Sequence, residues 1–338
     1  MSSLGSVSRT PRALRMSALN LESHDQHHID VAGPRRGAGS VASFGAGAGV
    51  GVGAAPTVDV AFPARQLRMW NGAMSLFHFV FMITTLAAGN LGLSVPVYKT
   101  SLQYIERASG EASGPAFVIV PQYSEMMTLP LTWIVAAFFF ASSLAHFGNA
   151  TLWRGFYERE LAQCRVPTRW IEYFFSASIM IFAISYGVGV REFYLLLGIV
   201  ALISTTMLFG YLTELIAAPC SESEWHEPFL KRAAPHLLGY IPQLAAWAII
   251  VFHFYTGPGE GSSPPGFVYA IVWIEMGLFF SFGFVQLAQQ LMPPSRYYLG
   301  EIAYQWLSLI AKGFLGLLLL TNVLVLSSFD EMFAPTTA

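Results

Sequence analysis

Seven apolar stretches, each about as long as a membrane is thick, constrain the fold of this chain more than any other feature. A helix needs roughly 20 apolar residues to cross a hydrocarbon core of about 30 Å. The stretches lie near residues 69–91, 129–151, 168–189, 193–216, 237–255, 266–290 and 302–326. Because backbone groups inside lipid must be hydrogen-bonded within the protein, we predict an all-α membrane protein whose residues 61–330 form a seven-transmembrane-helix bundle.

The composition indicates the same class of protein. Hydrophobic residues make up 54% of the 338-residue chain and charged residues 11%, whereas charged residues are about 25% of a typical soluble domain. The formal net charge is -2, and the sequence forms no basic cluster large enough to attract a nucleic acid. We therefore predict that the chain is an integral membrane protein in contact with the lipid bilayer and has no nucleic-acid partner.

The basic residues outside the spans divide unevenly between the two sides of the predicted membrane. Of the 18 Lys and Arg residues, Lys99, Arg107 and Arg191 lie on the far side, Lys312 lies inside a span, and the other fourteen lie on the side of the N-terminus. Because basic residues are retained in the cytoplasm, this asymmetry predicts a cytoplasmic N-terminus and an extracellular or luminal C-terminus.

This orientation predicts the side of the membrane on which the two chain ends and the two cysteines lie. Residues 1–60 are rich in Gly, Ala and Ser and are predicted to be a disordered cytoplasmic tail, and residues 331–338 an external tail. The first 21 residues carry three arginines and no acid, which fits a plain basic tail and is also compatible with organelle targeting. Cys164 and Cys220 fall in cytoplasmic connections, where reducing conditions favour free thiols.

The connection after the first span is long and alternates between apolar and polar residues. Two alternating runs, Val95–Ile105 and Ala116–Tyr123, flank a Gly- and Ser-rich turn signal at residues 109–114. Alternation with a period of two is typical of strands, and Gly and Ser favour the reversal between them. We predict a short external β-hairpin after helix 1.

Lys312 lies alone in the middle of the apolar run Ile302–Leu326, whereas Lys99 and Lys231 lie in polar connections. A lysine at the centre of a membrane helix costs about 2.5 to 3.5 kcal/mol and by default indicates function. The alternative is a side chain that extends to the interface. That would require it to cover at least about 15 Å, at 1.5 Å per helical residue, which exceeds its length. We therefore predict that Lys312 carries chemistry.

A cation at Lys312 needs a carboxylate partner inside the bundle, and the third span offers Glu172. Ser308 precedes Lys312 by one helical turn, and Arg169, Glu172 and Ser176 share one face of the third span. At 4 Å and an effective dielectric of 20, such a charge pair attracts by about 4 kcal/mol. The alternative is that Glu172 pairs only with Arg169 at the helix entrance, and the spacing leaves both interpretations open.

Four more polar residues of the spans are candidates for proton chemistry. His78 and His146 lie within the first two spans. Histidine can take up a proton near neutral pH, which makes both residues candidates for a polar cavity. The alternative is that each is a structural histidine hydrogen-bonded to a neighbouring hydroxyl or carbonyl. Glu214, near the end of the fourth span, is either a proton site or interfacial. Glu275, deep in the sixth span, is either a proton site or a structural, protonated acid.

Three motifs together resemble the heliorhodopsins, over about residues 65–330. They are Arg169–Ser178 (RWIEYFFSAS), Tyr298–Glu301 (YLGE) and Ser308–Lys312 (SLIAK). Heliorhodopsins are retinal proteins whose orientation is inverted relative to other microbial rhodopsins. The inverted orientation agrees with the charge asymmetry described above.

The resemblance implies roles for the polar residues of the third and seventh spans. Lys312 would carry all-trans retinal as a protonated Schiff base, and Glu172 would be its counterion. Ser308 and Ser176 would hydrogen-bond around the pair, and Tyr173 would line the polyene.

The resemblance also implies a setting for this site. His78 and His146 would form a proton-accepting polar cavity on the cytoplasmic side. From the aromatic-rich sixth span, Phe279 or Phe280 would face the polyene, and we take Phe280 as the site residue. Members of the family are typically homodimers with an external hairpin after helix 1. The long tail and the deep Glu275 depart from the family pattern.

The function implied is light sensing, not catalysis. Photoisomerisation would drive a slow photocycle that signals to an unknown partner without ion pumping. One alternative is light-activated passive proton or ion conductance, for which Glu214 and Glu275 would extend the polar path. A remote alternative is a seven-helix zinc hydrolase, which needs about three converging metal ligands, whereas only His78 and His146 are well placed.

Overall fold

The structure, a computed structural model, describes residues 61–106, 117–217, 228–259 and 261–327. Seven helices in these ranges are long and apolar enough to cross a membrane, which confirms the predicted helical bundle. The predicted tails, residues 1–60 and 331–338, lie outside the described residues, as does Cys220. The long helices are α1 Ala64–Ala88, α2 Leu131–Ala150, α4 Pro167–Gly187, α5 Phe193–Ala217, α6 Phe229–Thr256, α7 Gly266–Leu291 and α8 Tyr297–Leu319.

Three helices, α1, α6 and α8, begin five or more residues before the apolar stretches that predict them. The first turn of α6 contains Lys231 and Arg232, and α8 follows a 3-10 turn at Pro294–Arg296. A hydropathy pattern detects only the apolar part of a helix, so polar first turns are missed. A π-helical turn, Leu320–Leu324, extends α8 at its other end.

A short helix that hydropathy did not predict, α3 (Arg154–Ala162), lies between α2 and α4. Its sequence is rich in charge, and Arg154 Nε pairs with Glu158 Oε1 one turn later at 2.6 Å. Its other side is apolar and packs into a small buried cluster with residues from α1 and the start of α8, namely Leu67, Tyr157, Leu161, Cys164, Val166 and Tyr297.

The predicted hairpin is present between α1 and α2. Strands β1 (Ser94–Glu106) and β2 (Phe117–Pro130) pair antiparallel along their whole length, with a register shift between Val97 and Tyr98. The predicted turn at residues 109–114 lies outside the described residues. Val95 and Val97 are buried against the bundle, so the hairpin is anchored at its base.

The long helices form a ring in chain order. Each packs on the next, and α8 closes the ring against α1. Each long helix crosses the bundle once, so consecutive long helices run in opposite directions. We call the side at which α1 begins the N face and the side that carries the hairpin the hairpin face. Polar side chains that would be unfavourable in lipid point into the ring, and there they form the candidate site.

Candidate functional site

Lys312 lies inside the bundle, near the middle of α8. Its side chain is 2% exposed. The amine Nζ donates to Glu172 Oε1 of α4 at 2.9 Å and to Ser308 Oγ, one turn earlier on α8, at 2.7 Å. The alternative of a lysine that extends to the interface is therefore wrong for this structure.

Glu172 accepts three hydrogen bonds at one carboxylate oxygen. Besides Lys312, Ser176 Oγ donates from α4 at 2.7 Å and Ser142 Oγ donates from α2 at 2.5 Å. Donors to a carboxylate favour its ionised form, and they offset part of the desolvation of a buried ion pair. Ser142 was not among the predicted site residues. Its position four residues before His146, on one polar helix face, was the available signal.

Arg169 does not pair with Glu172, so the second interpretation of Glu172 is not what the structure shows. Arg169 instead forms ion pairs with Glu214 of α5 and with Glu301 of α8, the latter at 2.5 Å. Its guanidinium carbon lies 3.9 Å from the ring centroid of Tyr304. This buried cluster lies nearer the N face than the Lys312 pair.

Glu214 is buried and hydrogen-bonded at both carboxylate oxygens, so it is not an exposed interfacial residue. The backbone amide of Val166 donates to Oε2 at 2.8 Å, and the Tyr297 hydroxyl donates to Oε1 at 2.8 Å. These contacts join α5 to α8 and to the start of α4. Glu301, its partner across Arg169, appeared in a sequence motif but was not predicted as a site residue.

The two predicted histidines lie side by side. The rings of His78 and His146 are parallel within 9°, with centroids 5.7 Å apart. His146 Nδ1 lies 2.9 Å from Asn71 Oδ1. In the part of the chain that the structure describes, His146 Nε2 and both ring nitrogens of His78 have no hydrogen-bond partner. Both rings are buried, so three ring nitrogens able to take part in proton transfer lie inside the bundle.

A cavity begins at Lys312 and extends between α4, α5, α6 and α7. Tyr173 is in its wall, with its ring centroid 5.1 Å from Lys312 Nζ. Phe279 also lines the cavity, whereas Phe280 lies outside the lining and stacks parallel to Tyr240. The wall residue is therefore Phe279 and not the predicted Phe280, a difference of one position in helix register.

The lining of the cavity suits a flat, apolar molecule with an aldehyde at one end. A buried amine with a carboxylate partner stands at one end of the cavity, and ligand sites are usually apolar with a few placed polar groups. The wall between is largely apolar and aromatic, and it includes Trp170, Tyr173, Met180, Met207, Phe279 and Phe282. Retinal has this shape and this reactive group.

Glu275 makes no hydrogen bond to these groups. Its side chain is fully buried on the hairpin-face half of α7, and neither carboxylate oxygen has a hydrogen-bond partner within the described ranges. It does not line the cavity. Glu214, at the N-face end of α5, is far along the bundle from it, so the structure does not bring the two predicted proton sites together.

The remote hydrolase alternative requires a set of metal ligands. Among residues 61–106, 117–217, 228–259 and 261–327, no three His, Cys, Asp or Glu side chains come together as a group that could hold a metal ion. Of the two histidines on which this alternative depends, His146 uses one ring nitrogen for Asn71.

The chain is similar to a known protein family and to a solved structure. The model of the heliorhodopsin family matches residues 67–324. A solved structure, that of the light-driven proton pump rhodopsin of Coccomyxa subellipsoidea, has a TM-score of 0.43 and 13% sequence identity, and the match covers 79% of this chain and 99% of that one. The comparison with curated proteins gives no match.

Proposed function

We propose a site and a mechanism for this chain, which belongs to the heliorhodopsin family and is therefore a light-responsive retinal protein of the membrane. In this proposal Lys312 carries all-trans retinal as a protonated Schiff base, and Glu172 is the counterion. The observation that carries the proposal is the buried contact of 2.9 Å between the Lys312 amine and the Glu172 carboxylate, at the end of an aromatic cavity.

The Lys312 amine in the structure stands for the nitrogen of the linkage. That nitrogen bonds to the aldehyde carbon of retinal with loss of one water, and the bound group supplies visible absorption and light-driven isomerisation from all-trans to 13-cis. The protein supplies the surroundings. Glu172 balances the positive charge. The free amine donates to both Glu172 and Ser308, whereas the imine nitrogen keeps one N–H, for which these two groups are the acceptors within reach.

The dark state is stabilised by the ring of donors around Glu172. Ser142 and Ser176 hold the carboxylate oxygen that faces Lys312. At 4 Å and an effective dielectric of 20 the charge pair attracts by about 4 kcal/mol, and the low exposure of both partners limits screening by solvent. The positive charge at Lys312 is therefore kept until light changes the geometry around it.

His78 and His146 are the proposed acceptors of the Lys312 proton after light absorption. Three of their four ring nitrogens lack partners in the described chain, and the two rings are in contact. A neutral imidazole nitrogen with a free lone pair is a proton acceptor. Proton transfer to this pair separates charge inside the bundle, and the resulting two states can differ in helix packing.

We also propose that the N face is cytoplasmic and the hairpin face external. Basic residues outside the helix interiors gather at the N face, including Arg154, Arg159, Arg165 and Lys231, as positive-inside retention predicts. An unidentified signalling partner would contact this face. The slow photocycle without net pumping belongs to the same proposal.

We further propose that the protein forms a homodimer, and the surface of the hairpin supports this. The outer half of the hairpin exposes large apolar side chains on both strands, and continuous apolar surface of this kind marks interaction sites. The exposed residues include Leu102, Tyr104, Ile119 and Tyr123. Crosslinking in native membranes measures the dimer directly.

One observation favours a second candidate function, light-activated passive conduction of protons or ions. Glu275 is a fully buried carboxyl without a partner in the described residues, as a site on a proton path would be. Against this, Glu214 is held by Arg169 and Tyr297. Voltage-clamp recording separates the functions, because photocurrents that reverse with the proton gradient would support conduction and contradict a pure sensor.

The experiment that tests the proposed function is reconstitution with all-trans retinal. We expect the parent protein and Lys99→Ala, a control on β1, to turn coloured and to be bleached by hydroxylamine. We expect Lys312→Ala to stay colourless because it lacks the amine. A coloured Lys312→Ala protein would contradict the assignment, and a colourless parent would contradict retinal binding itself.

A further inference from the structure

The far end of the cavity holds polar atoms for which the proposed function has no use. His236 and Tyr240 of α6 and Gln286 of α7 line this end. His236 is 7% exposed, and its Nδ1 lies 2.7 Å from Gln286 Oε1. The rings of His236 and Tyr240 are in contact, with centroids 4.9 Å apart.

A series of contacts separates this end from Lys312. Tyr173 lies beside the Lys312 amine, and Trp170 packs edge-on against Tyr173. Gly210 lies against the Trp170 ring, at a position where a Cβ would overlap that ring. The Gly210 carbonyl then accepts from Gln286. Along this wall, the polar group around His236 is therefore separated from the amine by Tyr173, Trp170 and Gly210.

The hydrogen bonds of Gln286 assign the tautomer of His236. Gln286 Nε2 donates to the Gly210 carbonyl at 2.8 Å, so Oε1 is the atom that faces the imidazole. An amide oxygen can only accept, so His236 Nδ1 carries the hydrogen, and Nε2 of the neutral ring keeps its lone pair. Nothing in the described part of the chain donates to Nε2.

The Tyr240 hydroxyl is the second unsatisfied atom at this end. Its oxygen is buried and has no partner among the described residues. A phenol hydroxyl both donates and accepts. Two residues that line this end of the cavity therefore carry one buried acceptor without a partner, His236 Nε2, and one buried donor without a partner, the Tyr240 hydroxyl, on rings that touch.

A hydrocarbon ring placed here would leave both atoms unpaired, which is unfavourable for buried polar groups. A hydroxyl on that ring would donate to His236 Nε2 and accept from Tyr240. We propose that this end of the cavity is a hydroxyl-recognition subsite, and that the chain takes up retinal hydroxylated on its ring in preference to plain retinal. The inference rests on the proposed function, because it assumes that the aldehyde end bonds to Lys312.

The test is a competition between aldehydes. Purified protein without chromophore is mixed with equal, excess amounts of all-trans retinal and either its 3-hydroxy or its 4-hydroxy derivative. The bound chromophore is then extracted as its oxime and the two species are quantified. We expect at least one hydroxylated form to be enriched about tenfold or more, because sites that hydrogen-bond a ligand hydroxyl reject the analogue without it.

Substitutions of His236 and Tyr240 test whether these residues cause the preference for hydroxylated retinal. We expect Tyr240→Phe and His236→Phe each to reduce the enrichment toward one while they still form pigment with plain retinal. Tyr255→Phe, which removes an exposed hydroxyl from the same helix, should keep the full preference. A preference that both cavity variants retain would overturn the subsite.

The competition in the parent protein decides the question even if a variant fails to fold. Equal uptake of retinal and both hydroxylated forms would overturn the inference and indicate that His236 and Tyr240 are satisfied by water, while the proposed function would stand. Absence of pigment with every aldehyde would overturn the proposed function and the inference with it.

Discussion

At the scale of single residues, the Lys312 and Glu172 pair depends on its neighbours. A buried ion pair loses hydration on both partners, and additional hydrogen bonds are needed to offset that loss. Ser142, Ser176 and Ser308 supply them from three helices. Removal of either Lys312 or Glu172 leaves the other charge buried without its partner. It should therefore lower the free energy of unfolding more than a surface substitution would.

Glu172→Gln removes the negative charge beside the Lys312 nitrogen. In the dark state of a protonated imine the positive charge is greatest at this nitrogen, and excitation moves it away along the polyene. The carboxylate therefore stabilises the ground state more than the excited state, and we expect the variant's visible absorption to move to longer wavelength. Absorption spectra of the two reconstituted proteins measure the shift, with Glu158→Gln on α3 as the control. An unchanged maximum would mean that Glu172 is not the counterion.

Ser142→Ala removes one of the three donors to Glu172 Oε1. Hydrogen bonds to charged groups contribute about 1.5 to 3 kcal/mol, and we expect the free energy of unfolding to fall by roughly that amount. Thermal unfolding in detergent, compared with Ser281→Ala at a partly exposed position of α7, checks this. Equal stability of the two variants would show that the Ser142 hydroxyl does not hold the carboxylate.

Position in the chain was enough to predict the lysine, whereas spacing left the partner of Glu172 open and the resemblance to the heliorhodopsins assigned it to Lys312. Lys312 stood out because no other charge lies in its span, and Glu172 because of the helical face that it shares with Ser176. Ser142 could not be assigned, because a polar helix face does not say which neighbouring helix it meets.

At the scale of elements, the connection from α3 to α4 contains a strained residue. Cys164 has a φ of +58°, a region that glycine adopts freely and other L-residues rarely do. Its side chain is nevertheless buried in the cluster beneath α3. Burial, with a smaller contribution from Glu214, raises the pKa of the Cys164 thiol to about 12, so the thiol stays neutral and packs as an apolar group.

Two substitutions at this position separate strain from packing. Cys164→Ala loses the sulfur but keeps the strain, whereas Cys164→Gly loses slightly more packing and relieves the strain. We expect the glycine variant to be at least as stable as the alanine variant, by up to about 1 kcal/mol. Thermal unfolding of the pair measures this. An alanine variant more stable by 1 kcal/mol would contradict a left-handed backbone at residue 164.

Hydropathy predicted the elements better than their ends or their register. Charged residues interrupt the apolar pattern in α3 and in the first turn of α6, so hydropathy did not predict these segments. Composition also could not predict which α7 side chains face the cavity, because successive helical residues point about 100° apart. A choice between Phe279 and Phe280 therefore needs the packing of α7 against its neighbours.

At the scale of the whole molecule, the buried charges form separate levels along the bundle. Arg169, with Glu214 and Glu301, joins α4, α5 and α8 near the N face. The Lys312 and Glu172 pair lies nearer the centre. The sequence placed Arg169 and Glu172 on one face of one helix. Their different partners follow from the closed ring of helices, which only the tertiary structure shows.

The central claim is that one nitrogen, Lys312 Nζ, bonds to retinal. Borohydride reduction of the reconstituted protein fixes the imine as a stable secondary amine, and peptide mass spectrometry then locates the retinyl group. We predict the added mass on the peptide that contains Lys312, and on no peptide that contains Lys99 or Lys231. A retinyl group on either of those lysines, or on none, would contradict the account.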